Sequence, residues 1–230
     1  MSSAAPRTVG FLHTSPVHVP AFRALLSDLA PGMRDVHLVD EDLLADARRD
    51  GLGPGLRVRL LGRLQELAGH EPSVVVCTCS TLGGDAERLA ERLQTAVLRI
   101  DRPMAERAVA LGGRVALVAA VQSTLGPTRE LFDECAAGSE RAVALVDAPC
   151  LDAWALFEGG DHAGYHERVA RHVRGLAGEV DVVVLAQATM APAAALLEDL
   201  AIPLLTSPRL AVQRAVEIAS AHTRHPYESV

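Results

Sequence analysis

Short apolar runs alternate with longer segments of helical periodicity along the whole chain. Residues 9–13 and 115–119 are continuous apolar runs, a pattern typical of strands that are buried on both faces. In 20–29 and 127–136 apolar residues recur at helical spacing, and each segment begins with a proline, which suits a first helical turn. Because helices separate the strands, the pattern predicts parallel sheets in an α/β fold.

The chain nearly repeats itself. Four segments return in the same order at an offset of about 107 residues: 36–40 as 143–147, 67–69 as 176–178, 74–82 as 182–190, and 107–109 as 214–216. The repeat predicts two α/β lobes related by approximate twofold symmetry, each a short parallel sheet flanked by helices. We expect the first lobe to span 1–101, completed by a C-terminal helix at 206–230, and the second to span 102–205.

A cysteine follows the third predicted strand of the first copy. The apolar run from Val74 leads into Cys79-Ser80-Thr81 and then Gly83-Gly84, after which we predict a helix at 85–93. Backbone amides at a helix amino terminus favour an anion, so they are expected to lower the pKa of the Cys79 thiol and to hold a carboxylate. A buried structural cysteine is the alternative. Because ligands bind at the carboxyl ends of parallel strands, we expect a cleft between the lobes that sees both copies of each loop.

Composition removes several function classes. The chain has 230 residues, 49% hydrophobic and 22% charged, as in globular proteins, and all 22 basic residues are arginine. Without lysine there is no Schiff-base chemistry and no intact phosphate-binding loop. A net charge of −7 with scattered arginines argues against a nucleic-acid partner.

Other patterns bear on location, metals and assembly. The longest apolar runs are too short to cross a membrane and Met1–Pro6 lacks a basic region leading into an apolar stretch, so we expect a cytoplasmic protein. Four cysteines in this length indicate thiols rather than a disulfide framework. His162 and His166, four residues apart, are expected on a solvated helix face rather than at a metal. No cofactor or metal is expected, and an apolar-rich helix surface is compatible with a homodimer.

The strand ending in Cys79-Ser80-Thr81, its counterpart at 187–189 and the duplicated plan resemble the aspartate/glutamate/hydantoin racemase superfamily, which includes arylmalonate decarboxylase and maleate isomerase. The likeness runs from about Thr8 to Val216. In that superfamily the first half carries cysteine-asparagine-threonine, so the resemblance implies a catalytic role for Cys79. It puts Ser80 at the asparagine position and Thr81 at the threonine position, both as substrate-binding residues.

The second half departs from the superfamily pattern. Gln187 stands at the catalytic position where the racemases have their other cysteine, and the resemblance implies that Ala188 and Thr189, which follow it, bind substrate. An amide does not exchange a proton near neutral pH, so a two-thiol racemisation is not expected here. One thiol can still serve one face of the substrate carbon, with Gln187 binding or orienting.

Hydroxyls at the other strand ends are candidates for carboxylate binding. The resemblance points to Ser123 and Thr124 in the second half, and the first copy offers His13-Thr14-Ser15, in which Thr14 is our choice. Ser207, after the strand predicted at 203–206, is a similar case. For each hydroxyl, capping of local backbone is an equal alternative, and His13 is as compatible with a structural role as with a cleft position.

These observations leave three functions open. The resemblance implies a cofactor-independent isomerase or racemase acting beside the carboxylate of a small acid, with one cysteine as acid/base or nucleophile. The missing second thiol favours instead a decarboxylase in which one cysteine protonates a carbanion. A protein that binds a small carboxylate or dicarboxylate without catalysis is the third.

Overall fold

The structure is a computed structural model that describes residues 7–221. The expectations for Met1–Pro6 and for the helix beyond residue 221 lie outside the described residues. The chain divides into two compact units, one made of 1–100 together with 209–230 and the other of 101–208. Within 7–221, no helix is long and apolar enough to cross a membrane.

The first unit contains a four-stranded parallel sheet. Its elements are β1 (Thr8–His13), α1 (His18–Leu29), β2 (Arg34–Val39), α2 (Asp42–Asp50), α3 (Pro54–Ala68), β3 (Val74–Cys77), α4 (Ser80–Leu89) and β4 (Ala96–Arg99). The strands pair in the order β2-β1-β3-β4. The two central strands are fully buried, as their continuous apolar sequences predict.

The second unit repeats this sheet. Its elements are α5 (Arg102–Leu111), β5 (Gly113–Ala119), α6 (Gln122–Ala137), β6 (Val143–Pro149), α7 (Trp154–Glu158), α8 (His162–Arg174), β7 (Val182–Leu185) and β8 (Leu204–Thr206), and α9 (Ser207–Ala221) follows. The strands pair in the order β6-β5-β7-β8, all parallel. The predicted fold class, two short parallel sheets flanked by helices, is therefore confirmed.

Each unit has its own apolar core. In the first, Leu60 and Leu64 of α3 and Leu43 of α2 pack on one face of the sheet with Val75 and Cys77 of β3. In the second, Tyr165, Val169 and Val173 of α8 pack on Val183 and Leu185 of β7. Helices α3 and α8 present their apolar residues at intervals of three or four, which is the spacing seen in the sequence.

Two helices begin earlier than predicted. The α4 helix starts at Ser80, so Gly83 and Gly84 lie inside it rather than before it. A Cβ atom on Gly84 would lie 3.3 Å from Nη1 of Arg99, so this glycine leaves room for a buried guanidinium. The α6 helix starts at Gln122 and has Pro127 in its interior rather than in its first turn.

In the second unit, the segment that corresponds to α4 is not an α-helix. After β7, residues Ala188–Leu196 form a 3-10 helix that contains Pro192. Proline removes a backbone donor from an α-helix, and the segment is rich in alanine without a helical apolar stripe. The two copies therefore differ in the element that follows the third strand.

Candidate active site

Cys79 lies where the third strand of the first unit gives way to a helix. Two residues after the end of β3, its extended backbone (φ −107°, ψ 111°) immediately precedes Ser80, the first residue of α4. The residue is 7% exposed. The hydroxyls of Thr14 and Thr81 and the backbone amides of Thr81 and Leu82 lie close enough to its sulfur to lower the pKa of the thiol, although the Leu82 amide itself donates to the Cys79 carbonyl at 3.1 Å. The strand end and the helix amino terminus thus surround one thiol with donors.

The Cys79 thiol is nevertheless harder to ionise than an ordinary one. Burial raises its pKa, and the hydrogen bonds from Thr14, Leu82 and Thr81 lower it by less, so the pKa lies above the ordinary value. The expectation that the helix amides lower this pKa is wrong in its net direction, because desolvation of a thiolate outweighs the donors around it. At neutral pH the group is a thiol, which is a proton donor.

The neighbours of Cys79 are both polar and apolar. Thr14, at the end of β1, and Ser80 and Thr81, in the first turn of α4, are buried. Cys79 itself also packs in the apolar cluster that contains Leu12 and Leu82. The structure therefore brings together the predicted first-half residues, with Thr14 and Thr81 as direct partners of the sulfur.

Gln187 occupies the corresponding strand end of the second unit. Its side-chain oxygen Oε1 accepts hydrogen bonds from the backbone N–H of Ala120 at 2.6 Å and of Val121 at 3.0 Å. Ala120 and Val121 connect β5 to α6, and both residues are almost fully buried. The carboxamide thus satisfies two buried donors of the neighbouring strand end.

The turn after Gln187 is held by α8. The hydroxyls of Tyr165 and Thr189 lie 2.9 Å apart, and Nε2 of His166 lies 3.1 Å from the carbonyl oxygen of Thr189. Ala188, between Gln187 and Thr189, is buried. The prediction that His166 lies on a solvated face is wrong, because it is half-buried against this turn, whereas His162 is exposed beside Phe157.

The remaining predicted hydroxyls lie at other strand ends of the second unit. Ser123 and Thr124 are in the first turn of α6, and the Thr124 amide bonds the carbonyl of Val121 at 3.1 Å. Ser207 begins α9 directly after β8 and is fully buried. Within the described residues its hydroxyl has no hydrogen-bond partner.

Two buried residues at strand ends were missed by sequence reasoning. Arg99, the last residue of β4, is 2% exposed, and its backbone amide donates a hydrogen bond to the Glu87 carboxylate at 3.1 Å. Cys150 directly follows β6, and its amide donates to the carbonyl of Ala119 at 2.8 Å. The signal for Cys150 was its position after a strand, and the signal for Arg99 was Gly84, which makes room for its guanidinium.

Burial raises the pKa of the Cys150 thiol as well. The nearby Asp152, whose Oδ1 accepts from Sγ at 3.7 Å, acts in the same direction, while Arg168 opposes it. The second unit therefore contains a strand-end cysteine, although not at the position that the repeat assigns. Within residues 7–221, no group of three or more histidine, cysteine or acidic side chains could hold a metal ion.

His13 ends β1 inside a chain of hydrogen bonds. Its Nδ1 lies 2.9 Å from Oγ1 of Thr78, and its Nε2 lies 2.8 Å from Nδ1 of His37. The second nitrogen of His37 lies 2.7 Å from Oδ2 of Asp35, which also accepts from Arg23 at 2.8 Å. His13 is fully buried, so both of its ring nitrogens are satisfied inside the protein.

The fold and these strand ends define a duplicated α/β protein whose polar groups gather at the carboxyl ends of two parallel sheets. The family model for Asp/Glu/Hydantoin racemase matches residues 36–215. The chain belongs to this family, as the resemblance predicted.

Solved structures share the fold at low sequence identity. Aspartate racemase from Picrophilus torridus aligns with a TM-score of 0.71 at 15% identity, covering 93% of this chain and 94% of that one. Glutamate racemase from Francisella tularensis in complex with D-glutamate aligns with a TM-score of 0.70 at 14% identity, covering 97% and 84%. A mutant of arylmalonate decarboxylase, in a sulfate-associated form, aligns with a TM-score of 0.58 at 18% identity, covering 93% of each chain. A search of curated protein sequences gives no significant match.

Proposed function

We propose that this protein is an enzyme that acts at the carbon next to the carboxylate of a small acid, with Cys79 as its proton-transferring group. The observation that carries the proposal is the setting of the Cys79 sulfur, which follows a buried strand, precedes a helix and has the hydroxyls of Thr14 and Thr81 and the Leu82 amide near enough to lower its pKa. Such donors stabilise negative charge wherever it develops beside them.

The chemistry that we assign to Cys79 is donation of a proton. When a carbon that bears two carboxylates loses carbon dioxide, the bonding electrons stay on that carbon as a carbanion, and its charge spreads onto the remaining carboxylate oxygens. In an isomerisation, the thiolate form of Cys79 takes the proton from carbon first and so becomes the thiol that returns it. The neutral thiol then gives its proton to that carbon and becomes a thiolate, which the hydroxyls of Thr14 and Thr81 and the amides of α4 stabilise. A proton from water restores the thiol.

The substrate class rests on the family and on the hydroxyl donors at the strand ends. The Francisella tularensis glutamate racemase was solved in complex with D-glutamate, and the arylmalonate decarboxylase mutant is associated with sulfate, so both neighbours hold small anions. For this chain, we assign carboxylate binding in the first unit to the hydroxyls of Thr14, Ser80 and Thr81, which are buried. In the second unit, the hydroxyls of Ser123, Thr124 and Ser207 lie at strand ends and are candidates for the same role. Hydroxyl donors of this kind bind a small mono- or dicarboxylate.

An arylmalonate-type decarboxylase is the second candidate, and Gln187 favours it. A racemase must remove a proton from one face of carbon and return one to the other, whereas a decarboxylase needs one donor only. The carboxamide of Gln187 is engaged with the amides of Ala120 and Val121 and carries no exchangeable acid near neutral pH. The raised pKa of Cys79 points the same way, because it favours the donor form of the thiol.

Deuterium labelling distinguishes these functions. The enzyme is incubated in D2O with amino acids, hydroxy acids and substituted malonates, and recovered substrate and product are analysed by mass spectrometry and chiral chromatography. Racemisation or isomerisation puts deuterium into recovered substrate. Decarboxylation releases carbon dioxide and puts deuterium only into product.

Thermal shift measurements with the same acids separate an enzyme from a binding protein. A small acid that raises the melting temperature without exchange or carbon dioxide release identifies a protein that only binds carboxylates. That result would overturn the catalytic proposal.

Alkylation by iodoacetamide tests the state of the Cys79 thiol. At neutral pH it should be slower than alkylation of an ordinary thiol, because the raised pKa leaves little thiolate, and its rate should rise with pH.

A further inference from the structure

Four side chains on one face of the first sheet form a continuous hydrogen-bonded chain. Phe11 pairs with His37 in the register of β1 and β2, so His13 and Asp35 lie on the same face as His37. Thr78 continues β3 beside His13, and its hydroxyl also lies 3.0 Å from the carbonyl oxygen of Leu12. The chain runs from Asp35, which is one-quarter exposed, to the buried hydroxyl of Thr78.

The hydrogen-bonded chain from Asp35 to Thr78 has a consistent arrangement of protons in which both histidine rings are neutral. Asp35 is an anion and accepts from Nε2–H of His37, whose Nδ1 then has a lone pair. Nε2–H of His13 donates to that lone pair, which leaves Nδ1 of His13 as an acceptor. The hydroxyl of Thr78 donates to it. Every donor faces an acceptor, and both rings carry their proton on Nε2.

The chain has one other consistent state, which holds one more proton. In this state one proton has been added from solvent, and His13 carries its proton on Nδ1, which donates to Oγ1 of Thr78. His13 passes its Nε2 proton to Nδ1 of His37, which becomes an imidazolium paired with Asp35. His13 stays neutral with its proton now on Nδ1, and the Thr78 hydroxyl turns to the carbonyl of Leu12. Relative to the neutral state, two N–H bonds form and one breaks, which accounts for the one proton taken from solvent.

A second proton has no place in this chain. If both rings were cations, Nε2–H of His13 and Nδ1–H of His37 would face each other at 2.8 Å, with no acceptor between them. The other titratable or charged groups that face the rings are His18 and Arg23 from α1 and Asp35 from β2. Burial lowers the pKa of His13 to about 3 and lowers that of His37, so the extra proton enters below the ordinary histidine range.

We propose that Asp35, His37, His13 and Thr78 form a one-proton relay whose state sets the direction of the Thr78 hydroxyl, one residue before Cys79. These are positioning residues, since none of them is bonded to the Cys79 sulfur. The role of the relay beside Cys79 rests on the proposed function, but its existence does not. It couples the partly exposed Asp35 to the turn that carries the thiol.

Ring nitrogen NMR tests the relay directly. Long-range ¹H–¹⁵N spectra of the full-length protein report which ring nitrogens are protonated, and the variants His13→Asn and His37→Asn assign the two rings. Above the transition we expect both rings to be neutral with the proton on Nε2. On acidification His37 should become doubly protonated while His13 stays neutral and moves its proton to Nδ1, with one midpoint for both rings.

Three variants sharpen this test. Thr78→Val removes the hydroxyl and should abolish the tautomer change of His13, whereas Thr78→Ser keeps the hydroxyl and should retain it. Asp35→Asn removes the anion that supports protonated His37 and should move the shared midpoint to lower pH. The backbone amide signal of Cys79 should move with the same midpoint in the wild type and lose that step in Thr78→Val.

Other results overturn the relay. Two separate midpoints, a charged His13, or a His13 proton that stays on Nε2 throughout would each contradict the one-proton chain. An unchanged transition in Thr78→Val would remove Thr78 from it. These spectra need neither substrate nor turnover, so a protein with no activity on any acid can still pass, and an active enzyme can still fail.

Discussion

The carboxyl ends of β3 and β7 are equivalent in the repeat, yet they use backbone amides in different ways. After β3, the Cys79 sulfur receives donors from its own helix, α4, and from Thr14. After β7, the Gln187 oxygen receives the amides of Ala120 and Val121, which belong to the neighbouring strand end. One unit thus presents an acidic proton on a thiol, and the other ends in a neutral carboxamide.

The difference shows that duplication of a fold does not preserve its chemistry. Strand order is identical in the two sheets, because it depends on apolar positions that both copies share. The groups at the strand ends depend on single residues. A reaction that needs equivalent acids at both strand ends is therefore not supported by the sequence, whereas a reaction with one proton donor is.

The largest expected effect comes from removing the thiol. Cys79→Ala should lower turnover by about 10²–10⁴-fold, because the proton donor is lost while the fold is kept. Cys135→Ala, near the end of α6, removes a half-buried thiol that does not lie at a strand end, and it should leave turnover within about twofold. The comparison uses the acid identified by deuterium labelling. Equal activity of both variants would assign the proton transfer to another group.

The fold was predictable from the sequence to a large extent. Continuous apolar runs marked the central strands of both sheets, and the repeat showed that the two copies share one plan. The starts of α4 and α6 were not predictable. Gly83-Gly84 and Pro127 are local breakers of helices, but packing of the Arg99 guanidinium against Gly84 and the contacts of α6 override them.

The site was predictable only in part. The strand-end pattern located Cys79 and Gln187 after the carboxyl ends of their strands, where the structure also has them, while their roles stay predictions. The partners of these groups come from segments far apart in sequence, such as Gln187 with Ala120 or His13 with Thr78, and periodicity carries no information on them. The net pKa of Cys79 depends on how completely neighbouring side chains exclude water, which a sequence does not specify.

A second expected effect concerns the stability of the β7 end. Gln187→Leu removes the acceptor of two buried amides and should lower the free energy of unfolding by about 2–4 kcal/mol, since each unpaired buried donor costs about 1–3 kcal/mol. Gln187→Glu keeps a side-chain oxygen at the same reach and should cost less than about 1 kcal/mol. Urea denaturation measures both. Equal losses for the two variants would show that the Oε1 contacts do not stabilise this strand end.

The smallest expected effect tests how the second unit fixes the turn after Gln187. That turn depends on Tyr165 and His166 of α8, whose first turn is capped by Asp161: its Oδ1 accepts from the amide of Gly164 at 2.9 Å. Asp161→Ala should lower the free energy of unfolding by about 1 kcal/mol, because one amide of the helix terminus loses its acceptor. Glu167→Ala, on the exposed side of the same helix, should change it by less than about 0.5 kcal/mol. The residue before α4 is Cys79, and its side chain makes no such cap. A loss of stability confined to Asp161→Ala would therefore show that the second unit holds its strand-end turn through a capped helix, whereas the first relies on a thiol and its donors.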